Sequence, residues 1–156
     1  MASLGAMLTS ARDDWQTPPA LFAALDAEFR FTCDAAASAD NALCPVYFTR
    51  AEDALAHPWT GRVWVNPPYG RVGAAFLAHA WRQVYETATA EVVVLLVAAR
   101  TDTRAWHQYA MHGAEIRLIP GRLRFVGASA SAPFPSAVLV FRRPIHPVVV
   151  YSWRPA

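Results

Sequence analysis

The sequence predicts a single α/β domain built on a mostly parallel sheet, with helices on both faces and an antiparallel C-terminal strand. Three observations predict it. Strand-like and helix-like segments alternate along the chain, the pattern of a doubly wound sheet. Residues 92–97 are apolar at every position, as a central strand buried on both faces requires. And 156 residues, 54% of them apolar, suffice for one hydrophobic core of ordinary domain size.

Residues 1–12 carry no clear period and read as a loose, flexible tail, which leaves 13–156 as the domain. Asp13-Asp14-Trp15-Gln16-Thr17-Pro18-Pro19 reads as a helix entry, with Thr17 as cap and Pro18 in the first turn, where a missing N–H is no loss. Leu21, Phe22, Leu25 and Phe29 then recur at helical spacing as far as Arg30 and give the helix a face that covers a sheet. Short strands are expected at 31–34 and, introduced by Pro45, at 46–49. A third, 62–65, ends abruptly at Asn66-Pro67-Pro68. A helix over 73–86 carries Ala75, Phe76, Ala78, Ala80 and Trp81 and leads into the strand 92–97. A helix over 102–111, a strand over 114–119 and, after the proline-rich stretch 133–135, a strand over 137–141 complete the core pattern. The run 145–151 is strand-like, and 127–131 is small and polar enough to form a loop.

The longest apolar stretch, 92–99, falls far short of the roughly 20 residues of a membrane span, and no basic segment at the N-terminus leads into an apolar one. The expectation is a soluble, cytoplasmic protein without a membrane partner. Cys33 and Cys44 form no C-x-x-C array and have no zinc-ligand spacing to the histidines, so no metal is expected. Charge is divided along the chain: residues 1–99 hold six Arg against ten acids (−4), and 100–156 hold eight Arg against two (+6). Every basic residue is Arg, which suits planar contact with phosphates and bases. A GC-rich genome explains the missing Lys equally well. The segregation is a separate matter and favours an anionic partner for the second half.

Ligands of an open α/β sheet bind beyond the carboxyl ends of its strands, and Asp34, Glu52-Asp53 and Asn66-Pro67-Pro68-Tyr69 occupy such ends. The last is the sharpest signal. Two prolines fix a rigid turn directly after a buried strand. An exocyclic amino nitrogen on an aromatic base is a poor nucleophile because its lone pair is delocalised into the ring. A side-chain oxygen from Asn66 and the Pro67 carbonyl, each accepting one amino hydrogen, would draw that nitrogen toward a tetrahedral shape without a strong base. Tyr69 would stack on the base once it is flipped out of its duplex.

These residues bring the chain to a family. Trp15-x-Thr17-Pro18, Asp34-Ala35-Ala36-Ala37-Ser38 with Asn41-Ala42, Glu52-Asp53-Ala54-Leu55, the Asn66-Pro67-Pro68-Tyr69 turn, Gly121-Arg122-Leu123-Arg124-Phe125 and Pro135-Ser136 follow one another in that order. Across roughly 13–142 the chain resembles the small phage and prophage DNA adenine-N6 methyltransferases, the Dam-like family. The resemblance implies a Rossmann-like domain that uses S-adenosylmethionine as cofactor, works without a metal, acts on DNA, and resides in the cytoplasm of a bacterium or a phage-infected host. It implies that Asp34, Ala35, Ala36 and Ser38 hold the cofactor, with Trp15, Thr17 and Pro18 closing over its methionine part and Asn66 at its reacting end. General methyltransferases use a glycine-rich loop where this chain has alanines, whose β-carbons restrict positive φ.

Other candidates have two readings each. Asp53 is a contact for the cofactor adenine or an exposed carboxylate. Trp15 is a cofactor contact or a packing residue at a helix start. Arg71, Arg100, Arg122 and Arg124 form a phosphate footprint or are solvated charges, and Phe125 is a second aromatic for the flipped base or a core residue. Target recognition is expected from the loops 98–110 and 121–136, with short or relaxed specificity. The alternatives are methylation of an RNA base or a protein glutamine by the same turn, and a non-catalytic DNA-binding module. The absence of G-x-G-x-x-G after any strand disfavours a nucleotide-binding oxidoreductase. Oligomeric state lies between a monomer and a weak dimer, with Pro147-Val148-Val149-Val150-Tyr151 completing the sheet edge or pairing with another chain.

Overall fold

Helix α1 (Pro19–Phe29) begins at a proline, whose fixed φ suits the first helical position, and buries Leu21, Leu25 and Phe29. Arg30, in the left-handed conformation, closes it by donating its N–H to the Asp26 carbonyl at 2.8 Å, while the Asp26 carboxylate accepts from Phe31 N–H at 2.9 Å. Pro18 occupies the cap position with no side-chain cap, so Thr17 does not cap the helix as its sequence context suggests. The computed structural model describes residues 15–156, and the tail expected at 1–12 lies outside them.

The chain continues through β1 (Cys33–Asp34), β2 (Val46–Tyr47), a 3-10 turn (Ala54–Ala56), β3 (Gly61–Val65), α2 (Arg71–Tyr85), β4 (Ala90–Ala98), a π turn (Trp106–Ala110), β5 (Glu115–Leu118), β6 (Ser136–Arg142) and β7 (Val149–Ser152). Seven strands form one sheet in the order β2-β1-β3-β4-β6-β5-β7. Neighbours β2, β1, β3 and β4 run parallel, and β7 runs parallel to β5. Only β6 is reversed, antiparallel to both β4 and β5. The antiparallel strand expected from the sequence is therefore β6, and the last strand, β7, takes the edge beside β5.

Alternation along the strands divides the core between α1 and α2. Val63, Val65, Val93, Leu95, Leu139 and Phe141 pack with Phe76, Leu77, Ala80 and Val84 of α2. Trp64, Val92, Val94, Leu96, Val138 and Val140 pack with Leu21, Leu25 and Phe29 of α1. Arg117 ties α1 to the far strands: its buried guanidinium grips Glu28 with two bonds of 2.7 Å, bonds Glu115 at 2.8 Å, and lies over Phe29, Tyr151 and Trp153.

The segment expected to be helical over 102–111 differs most. Helical backbone starts only at Arg104, and the hydrogen bonding lengthens, with Met111 N–H donating to the Trp106 carbonyl at 3.0 Å. The Thr103 hydroxyl takes the Trp106 N–H at 3.3 Å, which places the entry after Asp102. β1 and β2 are each two residues long, shorter than expected.

Strand order places the site. From β1 the chain steps to β2 on one side, then crosses back to β3 on the other, so the order reverses between β1 and β3. Asp34 lies in register with Trp64, and Ala35 N–H donates to the Trp64 carbonyl at 3.0 Å. Asp34 and Asn66 thus leave adjacent strands at the crevice where such sheets bind ligands.

Candidate active site

A cleft of about 320 Å³ opens at that crevice, lined in part by Trp15, Thr17, Asp34, Asp40, Leu43 and Asn66. Asp34 is 3% exposed. Its carboxylate accepts from Ala36 N–H at 3.2 Å and Leu43 N–H at 3.1 Å, pinning both ends of the intervening loop. Burial pushes the Asp34 carboxyl above its usual range, while the Leu43 and Ala36 donors oppose the shift. None of Ala35, Ala36 and Ala37 has a positive φ, so this loop folds without needing glycine. Ala36 lines the cleft, whereas Ala35 is packed in the α2-side core and Ser38 is exposed outside the lining.

Asn66 follows β3 directly. Its side-chain nitrogen donates to the Trp15 carbonyl at 2.6 Å and to the Thr17 hydroxyl at 3.1 Å. Pro67 is buried, and the Pro68 carbonyl abuts Gly73 in the first turn of α2 so closely that a β-carbon there would lie 2.4 Å from its oxygen. The Asn66-Pro67-Pro68-Tyr69 turn is thus held from one side by the N-terminal segment and from the other by α2. Pro18, expected over the cofactor, caps α1 and is not among the cleft-lining residues.

Tyr69 belongs to a group of four rings. It meets Trp15 edge-on at 6.2 Å and Phe134 at 4.7 Å, and Trp15 in turn meets Phe125 at 5.1 Å. Burial pushes the Tyr69 phenol far above its ordinary range, so it presents a neutral ring at physiological pH. Phe125 is 2% exposed and packs against the α1-side core, which removes it as a surface for a base. The half-buried ring beside Tyr69 is Phe134, which sequence reasoning passed over. Its signal was its setting, Pro133-Phe134-Pro135, where flanking prolines hold an aromatic rigidly beside the start of β6.

Asp53 is not brought to the cleft. It is exposed, adopts φ 50, and its carboxylate accepts from Leu55 N–H at 3.2 Å to cap the 3-10 turn. Gln16, by contrast, lines the cleft, and its carbonyl accepts from Val126 N–H at 3.1 Å, bridging the N-terminal segment to the loop that follows β5.

The sequence profile of the DNA N-6-adenine-methyltransferase (Dam) family matches residues 5–153. The chain belongs to this family. Among its relatives, the DNA N-6-adenine-methyltransferase of Escherichia phage T1 is 35% identical over 65 residues, covering 40% of this chain and 27% of the phage protein. The putative methyltransferase YfdM of Escherichia coli K12 is 36% identical over 70 residues, 40% of this chain and 77% of that protein. The matched region thus spans about a quarter of the phage T1 protein.

In this Dam-family chain the candidate phosphate contacts surround the same edge. Arg71 opens α2 immediately after the Asn66-Pro67-Pro68-Tyr69 turn, Arg100 follows β4, and Arg122 and Arg124 follow β5. All four are exposed. Arg124 also reaches its own loop, at 3.4 Å to the Ala128 and Ser129 carbonyls. Among the described residues the cleft lining contains Asp34 and Asp40 and no Arg or Lys, and the four arginines follow strands or open a helix at the same edge of the sheet. No helix among the described residues is long and apolar enough to cross a membrane.

Proposed function

We propose that this chain methylates the exocyclic amino group of adenine in DNA, using S-adenosylmethionine and a short or relaxed target sequence. The observation that carries this reading is the placement of Asn66-Pro67-Pro68-Tyr69 at the strand-order reversal, directly beside an acidic cleft. The donor set of that cleft suits the cofactor: among the described residues, the Asp34 and Asp40 carboxylates complement a ligand with a sulfonium and an α-ammonium. Asp34 and the Trp15–Gln16 side of the cleft would hold it. When bound, it supplies an electrophilic methyl group.

The chain's own residues do the rest. Asn66 Oδ1 and the Pro67 carbonyl accept the two amino hydrogens of adenine, which localises the lone pair on nitrogen and aims it into the cleft. Tyr69 and Phe134 provide aromatic faces for the flipped base. Arg71, Arg100, Arg122 and Arg124 neutralise backbone phosphates, with the loops 98–110 and 121–136 reading the flanking bases. Fixed prolines and the packed α2 start supply this geometry before substrate arrives.

Incubation with labelled S-adenosylmethionine and DNA, RNA or protein tests the reading. Label at the adenine amino group of DNA is the expected result, and label confined to RNA or to protein glutamine overturns it. Calorimetry adds an independent check: failure to bind the cofactor would make the chain a non-catalytic DNA-binding module. Asn66→Ala and Tyr69→Ala are expected to lower turnover much more than cofactor affinity, and equal loss of both would make the turn merely structural.

A further inference from the structure

The Asn66 amide has two chemically different ends, and only the oxygen can accept from an amino group. Which end faces the substrate is settled by what the other end touches. Nδ2 stands 2.6 Å from the Trp15 carbonyl oxygen and 3.1 Å from Thr17 Oγ1. A backbone carbonyl only accepts. Turning the amide over would set two acceptor oxygens against each other at hydrogen-bond distance, whereas the Thr17 hydroxyl tolerates either orientation. Thr17 is buried and does not cap α1, although a threonine just before a proline-initiated helix is placed to do so. Its oxygen is therefore available to Asn66.

We propose that the Trp15–Thr17 segment is a positioning element for methyl transfer: the Trp15 carbonyl and the Thr17 hydroxyl occupy both N–H groups of Asn66 and so present Oδ1 to the adenine amino group. This rests on the adenine-methylation reading and assigns Thr17 to Asn66 rather than to the cofactor. The same segment is anchored at its other flank, where the Gln16 carbonyl accepts from Val126 N–H and the Trp15 ring packs on Phe125, Phe134 and Tyr69. The orientation of Asn66 is thereby built from a strand bridge and an aromatic cluster rather than from a flexible loop. It also follows that aspartate is no substitute here. A carboxylate at 66 keeps the acceptor but loses both donors and sets an oxygen against the Trp15 carbonyl.

The test combines kinetics with a direct view of the amide. Thr17→Val keeps shape and removes the acceptor, and is expected to lower kcat on DNA about five- to tenfold, the factor that one neutral hydrogen bond corresponds to. KM for DNA and affinity for S-adenosylmethionine should stay within about twofold, and Thr17→Ser should recover most of the rate. Asn66→Asp should fall nearly as far as Asn66→Ala. In protein labelled with nitrogen-15 asparagine, one of the two Asn66 side-chain proton signals should move upfield in Thr17→Val and stay in place in Thr17→Ser. A loss confined to cofactor affinity, or an Asn66→Asp protein with near wild-type turnover, overturns the proposal while leaving adenine methylation intact. The amide signals are read whether or not DNA is methylated, so unmoved signals in Thr17→Val overturn it by themselves.

Discussion

Replacing Gly73 with alanine asks whether the start of α2 sets the Asn66-Pro67-Pro68-Tyr69 turn. Gly73 has no positive φ, and its backbone would accept any residue. The obstacle is its neighbour. A β-carbon would stand 2.4 Å from the Pro68 carbonyl oxygen, against an ordinary contact that begins near 3.4 Å, so the two backbones must part by about 1 Å. Neither atom is the end of a side chain, and no rotamer relieves the overlap. Alanine favours a helix over glycine by about 1 kcal/mol, while overpacking strain of about 1–3 kcal/mol acts against it. The expected net is a destabilisation of about 1 kcal/mol, a Tm lowered by about 3 °C in a domain of this size. Turnover should suffer more. Pro68 lies between the Pro67 carbonyl and Tyr69, and misplacing reacting groups by about 1 Å costs about 100-fold in rate. Single-turnover methylation of duplex DNA and scanning calorimetry on the same preparation measure both effects. A Gly73→Ala protein that melts higher and methylates at the wild-type rate would refute the idea that α2 buttresses the turn.

The two phenylalanines should separate cleanly. Phe125→Ala empties a fully buried site and should lose about 3–5 kcal/mol in chemical denaturation, whereas Phe134→Ala should unfold nearly as wild type but bind DNA about tenfold more weakly, the scale of one stacked base; the opposite pattern would return the base contact to Phe125. Burial pushes the Glu115 carboxyl up, but donation from Tyr151 and Arg117 and the charges of Arg117 and Arg142 outweigh it and hold the group below its usual range. A depressed carboxyl contributes stability above its unfolded value of about 4.3 and loses it as pH falls through the folded one. Glu115→Gln should therefore be the less stable protein at pH 7, with the gap closing as pH falls below about 4, and a pH-independent gap would contradict the assignment. Arg122→Ala should weaken DNA binding evenly across sequences and make the dependence of log Kd on log salt shallower by about 0.9; an unchanged slope would mean Arg122 meets no phosphate.

Strands and helices were legible where one periodicity dominated. The 92–97 stretch of β4 is apolar at every position because both of its faces are covered, as a central strand requires. α2 began two residues earlier than its apolar pattern because Arg71 and Val72 are exposed and carry no burial signal. The segment after β4 was harder. Its buried residues, Trp106 and Ala110, are four apart, a spacing that a regular helix and a π turn satisfy equally. Within the site, residues carried by recognisable motifs could be read, and Trp15, Thr17, Asp34, Ala36 and Asn66 do line the cleft, while Phe134, brought beside Tyr69 by tertiary contact, could not. Phe125 and Phe134 are both aromatic residues in the same loop, and only burial tells them apart. Thr17 had a sound local reading as a helix cap, which a residue 49 positions away displaced.

The uneven charge of the sequence acquires a spatial meaning once the topology is known, and it also shrinks. The acidic first half builds β1 to β3 and lines the cleft with Asp34 and Asp40; the basic second half contributes the loops after β4 and β5 at the same carboxyl edge. But the +6 of residues 100–156 is not all available to an anionic partner. Arg117 is buried against Glu28 and Glu115, Arg142 bonds Glu115 at 2.8 Å, and the Arg143 guanidinium reaches the Ala90 carbonyl at 3.3 Å. Arg100, Arg104, Arg122 and Arg124 remain exposed on the loops after β4 and β5, with Arg71 added from the first half. That makes for a modest footprint of exposed cations, of which Arg124 also bonds its own loop. On the proposed function, a footprint of this size would favour weak, salt-sensitive engagement of DNA, with orientation of the flipped base rather than backbone affinity deciding transfer.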